Sequence, residues 1–214
     1  MRSTRILALT GGGGLAFLGI VIVSGPFWQP GFDGLRQYGS ELALGANGWL
    51  MTTAFVLSGL GTWLLAASLW SALDPSRPRD VGVALLGVSG LAFVASAIVQ
   101  TGSHRPGPHE FIGLGLFVSL LLALPILASA ASRQAWLAGV ARPGRWAALA
   151  SFVVLVIAFA FASPGGDAPA RPLDAYAGLL QKLMIAPWLI WLLAVAYRIA
   201  RQVPAGGFLK EEPA

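Results

Sequence analysis

Between Asp174 and Arg198 the only Asp, Glu, Lys or Arg is Lys182. Asp174, Gly178 and Lys182 recur at spacing four, which places them on one face of a helix with Gln181 beside them. Only 15 uncharged residues separate Lys182 from Arg198, roughly 22 Å of helix. That is too short for a hydrocarbon core about 30 Å thick. The helix must therefore begin near Asp174, leaving Lys182 about 12 Å along it and inside the membrane. An ammonium there costs roughly 2.5–3.5 kcal/mol on insertion scales, so counter-groups or a water-filled cavity are expected around it. The plainer alternative is an amine that snorkels to the outer headgroups. Asp174 and Glu41 are the expected ion-pair partners.

A second cluster is Thr101-Gly-Ser-His-Arg-Pro-Gly-Pro-His-Glu110, which holds both histidines of the chain. Pro106 and Pro108 keep a helix from running through it. His104 and His109 are therefore loop and helix-start residues, and their spacing with a carboxylate matches no specific zinc pattern. No metal or cofactor is expected. His109 suits hydrogen bonding or proton transfer because its intrinsic pKa lies near neutrality. Glu110 suits the positive start of a helix. The third cluster is Arg36-Gln-Tyr-Gly-Ser-Glu41 with Asn47-Gly-Trp49. Ser40, His109 and Glu41 or Glu110 can be written down as a Ser-His-acid set, although no nucleophile elbow surrounds Ser40. The candidate catalytic groups are thus His109, Glu110 and Ser40. The candidate ligand-binding groups are Lys182, Asp174, Gln181, Glu41, Arg36, His109 and Gln100.

The elements that position these groups follow from where charge is missing. No Asp, Glu, Lys or Arg occurs between Arg5 and Asp33, Glu41 and Asp74, Asp80 and Arg105, Glu110 and Arg133, or Arg145 and Asp167. Every gap is 21 residues or longer, the length a spanning helix needs. With the Lys182 segment they predict six spans near 7–27, 47–71, 81–100, 109–131, 146–163 and 175–197. Helix is the open choice because lipid-exposed amides must be satisfied within their own segment. The runs lack the period-two alternation of a membrane barrel. At 56% hydrophobic and 11% charged, the chain lies far from the soluble norm of about 25% charged. The fold class expected is all-α: one domain over residues 1–214, a polytopic six-helix bundle of a bacterial plasma membrane. The uncharged run from Ile6 to Phe32 exceeds the roughly 7–15 residues of a signal sequence and reads as an uncleaved first span. Cysteine is absent, which excludes disulfides, thiolate metal sites and cysteine nucleophiles.

Topology follows from the basic residues. The N-terminus, the second and fourth loops and the C-terminal tail hold Arg2, Arg5, Arg77, Arg79, Arg133, Arg142, Arg145, Arg198, Arg201 and Lys210. Arg36, Arg105, Arg171 and Lys182 belong to the other side. Ten against four predicts both termini in the cytoplasm, and it accounts for the basic charge without nucleic acid as a partner. Asp80 is expected to cap span three and Pro108 to open span four. Trp28, Trp49, Trp70, Trp136, Trp146 and Tyr197 fall at predicted water interfaces. Ala54, Ser58 and Thr62 form a small face for helix packing, whereas Gly11 to Gly14 reads as a local weakening of span one.

Taken together, Arg36-Gln-Tyr-Gly-Ser-Glu-Leu before Asn47-Gly-Trp, then Phe55, Ser58 and Gly59 in span two, His109 opening span four, and Gly178-Leu-Leu-Gln-Lys182 with Trp188 and Trp191 resemble the six-span bacterial membrane family catalogued as domain of unknown function 998. The resemblance covers nearly the whole chain and implies no particular activity. In that family an arginine often stands where this chain has Lys182, and an acidic residue near Gln100. More distantly the plan is similar to eukaryotic six-span proteins of the autophagy-modulator type, which points toward lipid handling. The expected function is binding of a membrane lipid or small amphiphile in an outward-facing polar pocket around Lys182. The alternatives are an intramembrane lipid hydrolase or transferase using His109 and Glu110, a structural or regulatory membrane partner, and a proton-coupled carrier. Oligomeric state is not legible.

Overall fold

The charge-free runs become six long helices in a computed structural model that describes residues 2–100, 107–162 and 171–202. These are α1 (Arg2–Trp28), α2 (Trp49–Ala72), α3 (Arg77–Ile98), α4 (Pro108–Ala131), α5 (Ala138–Phe161) and α6 (Ala177–Gln202), with short 3-10 turns at Gly39–Leu44 and Asp174–Tyr176. All six are long and apolar enough to cross a membrane. Each helix packs on its neighbours in the chain, and α6 closes the ring against α1. Thr4 at the start of α1 meets Ser68 near the end of α2, where Ser68 Oγ donates to Thr4 O at 3.1 Å. Gly139 at the start of α5 lies against the Arg198 guanidinium near the end of α6. The two termini of the bundle thus share one end. The opposite end, carrying the first, third and fifth connections, is the site end.

Charge marked the edge of the apolar run, not the end of the helix. The largest departure is α5, which begins at Ala138 instead of near residue 146 and carries Arg142, Pro143 and Arg145 inside the helix. Past the hydrocarbon the backbone has no reason to stop, because basic side chains there reach the headgroups. For the same reason α3 begins one turn earlier than expected. Its N-cap is Ser76, whose Oγ accepts from Arg79 N at 3.4 Å, and Asp80 instead accepts from Arg79 Nε at 2.8 Å. Arg79 is nearly buried, lying 4.2 Å over the Trp70 ring and donating to the carbonyls of Trp70 and Leu73 at the end of α2. Pro108 opens α4 as expected.

The small face of α2 is its contact with α1. Ala54, Ser58 and Thr62 are buried, and Ser58 Oγ donates to Gly14 O at 3.3 Å. A Cβ on Gly11 would lie 2.6 Å from Gly61 O, and one on Gly61 2.7 Å from Gly11 O. The glycine run of α1 is therefore a close helix crossing of the kind small residues permit in membranes, not a weak point. Gly59 does the same toward α3, where its Cβ would meet Gly90 O at 2.7 Å. Of the expected interfacial aromatics, Trp49, Trp70, Trp146 and Tyr197 are exposed, and Trp28 and Trp136 are half-buried. Trp188 and Trp191 are core residues.

Candidate functional site

The first N–H groups of an α-helix have no partner within it. At the start of α6 they are satisfied by the first connection, which passes directly over the helix: Gly178 N donates to Arg36 O at 3.2 Å and Leu179 N to Leu35 O at 3.0 Å. Gly178 is required there because a Cβ would run into the Gln37 carbonyl. One turn on, Lys182 Nζ donates to Gly34 O at 2.7 Å and to Gly178 O at 3.3 Å, and lies 5.5 Å from the Phe32 ring. Gln181 Oε1 accepts from Gly39 N at 2.6 Å. The first connection is thus strapped to α6 by four bonds.

This strap changes the expected role of Lys182. The counter-groups of the ammonium are backbone carbonyls and an aromatic face. Among the described residues no carboxylate lies within ion-pairing distance, and Asp33 and Glu41 act on it only through space. Asp174 Oδ2 instead accepts from Arg171 N at 2.7 Å. Glu41 accepts from Gln37 Nε2 at 3.3 Å and Tyr38 N at 3.4 Å, and Arg36 is exposed near Asp33. Gly178 makes room for the Gln37 backbone, not for an Asp174–Lys182 pair.

The open space lies elsewhere. A cavity of about 390 Å³ opens at the site end between α4, α5, α6 and the first connection. Its polar part is Tyr38, Ser40, His109, Glu110, Arg171 and Gln181; its apolar walls include Leu114, Phe117, Leu155, Phe159 and Met184. An inner chamber of about 50 Å³ lies beside it, lined by core residues of the bundle. It shares Ser40, His109, Gly113, Phe117 and Gln181 with the outer cavity and adds Phe93, Ser96 and Trp188 among others. Of the sequence-derived candidates, His109, Glu110, Ser40 and Gln181 come together here. Lys182, Asp174, Glu41, Arg36 and Gln100 do not line either space, and Gln100 is exposed just beyond α3. His104, Arg105 and Asp167 lie outside the described residues.

Two residues of the site have orientations fixed by their surroundings. His109 is buried, with Nδ1 2.6 Å from Val99 O at the end of α3. A carbonyl only accepts, so Nδ1 carries a proton and donates to it, which fixes the ring and leaves Nε2 as its other polar atom. Arg171 donates through one guanidinium nitrogen to Phe159 O at 2.6 Å and Ala162 O at 3.4 Å. It thereby caps the negative end of α5, and its other donors remain for the mouth of the cavity. Glu110 Oε2 accepts from Gly107 N at 2.8 Å and stabilises the start of α4. Among the described residues no hydrogen bond joins Ser40 to His109, so no Ser-His-acid relay is assembled.

Trp188 and the apolar walls were not singled out as site residues from sequence. Their periodicity is that of any buried helix face, and only the parting of α4 from α5 and α6 turns them into a cavity lining. The chain matches the family described as "Protein of unknown function (DUF998)" over residues 11–198. No curated protein and no solved structure matches it.

Proposed function

The chain belongs to the DUF998 family, and for this member we propose that its function is to hold a membrane-resident amphiphile in the site-end cavity. The observation that carries this reading is the two-part lining. Polar groups gather toward the site end, and the walls below them are apolar, the arrangement that suits a polar head on a hydrocarbon chain. At about 390 Å³ the cavity falls in the range of small-molecule sites. Leu114 and Phe159 line it and are also exposed on the outside of the bundle, so the occupant enters sideways from the bilayer. Arg171 and Glu110 bring opposite charges to the mouth, which favours a neutral or zwitterionic head over a strongly anionic one. Binding is favoured over turnover because Glu110 is engaged in holding the start of α4.

The test is retention of amphiphiles by purified protein in mild detergent, read by native mass spectrometry. Dioleoylphosphatidylethanolamine, monooleoylglycerol and oleate serve as probes. A bound species is expected in the wild type and is lost when Phe117→Trp fills the cavity. Equal retention by both proteins would place the lipid on the outer surface and end the proposal.

The excess of Lys and Arg at the opposite end supports a site end that faces away from the cytoplasm. Because the chain has no cysteine, Ala46→Cys at the site end and Ser132→Cys at the opposite end report orientation without background. Both positions are exposed. The first is expected to react with a membrane-impermeant maleimide in intact cells and the second only after lysis; the reverse pattern would invert the topology.

A further inference from the structure

Trp188 is 2% exposed, and its indole Nε1–H is buried with no acceptor among the described residues. Buried donors in native proteins nearly always find a partner, and leaving one unmade costs the desolvation of the group. Trp188 lines the inner chamber, which is the space from which that partner can come. An indole nitrogen only donates, so the partner must offer a lone pair. His109 lines the same chamber, and with Nδ1 donating to Val99 O its other ring nitrogen, Nε2, is an acceptor in the Nδ1–H tautomer. Gln181 supplies further donors, because Gly39 N holds its Oε1 at 2.6 Å and leaves the amide NH₂ unclaimed by that bond.

We infer that the inner chamber binds the hydroxyl group of a neutral alcohol-headed amphiphile. The hydroxyl oxygen accepts from Trp188 Nε1–H, and the hydroxyl donates its O–H to His109 Nε2. A hydroxyl is the simplest group that accepts and donates through one atom. No Asp, Glu, Lys or Arg lines the chamber, so an anionic or cationic head would lose its hydration there without a counter-charge. A chamber of about 50 Å³ admits a hydroxyl and the first carbon that bears it, while the chain continues through the shared residues into the outer cavity. This inference rests on the amphiphile reading above and names the class of molecule it takes.

The experiment uses the full-length protein in detergent and native mass spectrometry with three probes: oleyl alcohol, its methyl ether and dioleoylphosphatidylethanolamine. The ether keeps the oxygen acceptor and the chain but has no O–H to donate to His109. The alcohol is expected to bind roughly 3- to 10-fold more tightly than the ether, the scale of one lost hydrogen bond. Trp188→Phe is expected to weaken the alcohol by a similar factor. Equal binding of alcohol and ether by the wild type overturns the inference even if the Trp188 variant fails to fold, and it would assign the chamber to trapped water. Undiminished alcohol binding by a folded Trp188→Phe protein overturns it as well. If none of the three probes binds, the amphiphile reading itself fails; if the phospholipid and ether bind as well as the alcohol, only the hydroxyl assignment does.

Discussion

The crossings of α1, α2 and α3 and the α4 wall of the cavity use glycine in opposite ways. Where α1, α2 and α3 cross, Gly11, Gly61 and Gly59 let backbones approach until a single added carbon would collide with a carbonyl. On α4, Gly113 and Gly115 have nothing within 4 Å of where a Cβ would stand, and Gly113 lines both chambers. The crossings are closed by missing side chains, and at Gly113 the cavity is widened by one. The helix opposite the hollow is also the least held: 22% of the apolar window of α5 is buried, against 56% for α6. α5 is tied to α6 at the opposite end, where Trp191 Nε1 donates to Val140 O at 2.8 Å, and midway, where Ser151 Oγ donates to Met184 O at 2.8 Å. Toward the site end both line the cavity. A rigid half and a yielding half is the division that suits the proposed admission of a guest from lipid.

Substitutions at matched positions test that division. Gly61→Val should be the most damaging, because both backbones would have to separate. A loss on the order of 3 kcal/mol or more should appear as failure to recover monodisperse protein, and a normal yield would mean the crossing is looser than it looks. Gly113→Leu should leave melting temperature nearly unchanged while reducing amphiphile retention more than tenfold, since its side chain grows into the cavity. If it unfolds the protein instead, α4 is packed there and the contrast disappears. Lys182→Met removes the tie to Gly34 O and is expected to lower stability by about 1.5–3 kcal/mol, the scale of a hydrogen bond from a charged donor. Binding should be unchanged, because Lys182 does not line the cavity. Lost binding at normal stability would return the ammonium to the site. Gly115→Ala should be the mildest, raising stability by at most about 1 kcal/mol through helix propensity.

The sequence made the spans legible because a membrane forbids charge over a fixed length, a constraint that acts locally. It made the α1–α2 contact half legible: Ala54, Ser58 and Thr62 pointed to a packing face, but the complementary Gly11–Gly14 run looked like weakness until its partner was known. The nature of Lys182 was readable as an expensive ion needing counter-groups. Its partners were not, because backbone carbonyls carry no sequence signature and Gly34 lies 148 positions away. The candidate site divided on the same line. His109 stood out for its hydrogen-bonding chemistry and Gln181 for its place beside the Lys182 face, whereas Trp188 entered only through the family resemblance. What distinguishes it is a missing acceptor, and that is visible only when every neighbour is in place.

The strap over α6 has a consequence for the conditions the protein withstands. Carbonyl oxygens take up no proton across the ordinary pH range, so acidification that would discharge a carboxylate leaves the Gly34–Lys182 tie intact. A short contact to a half-buried dipole is also shielded from the counter-ions that weaken exposed ion pairs. The anchor that holds the roof of the site to its wall therefore keeps its grip as acidity and salinity rise.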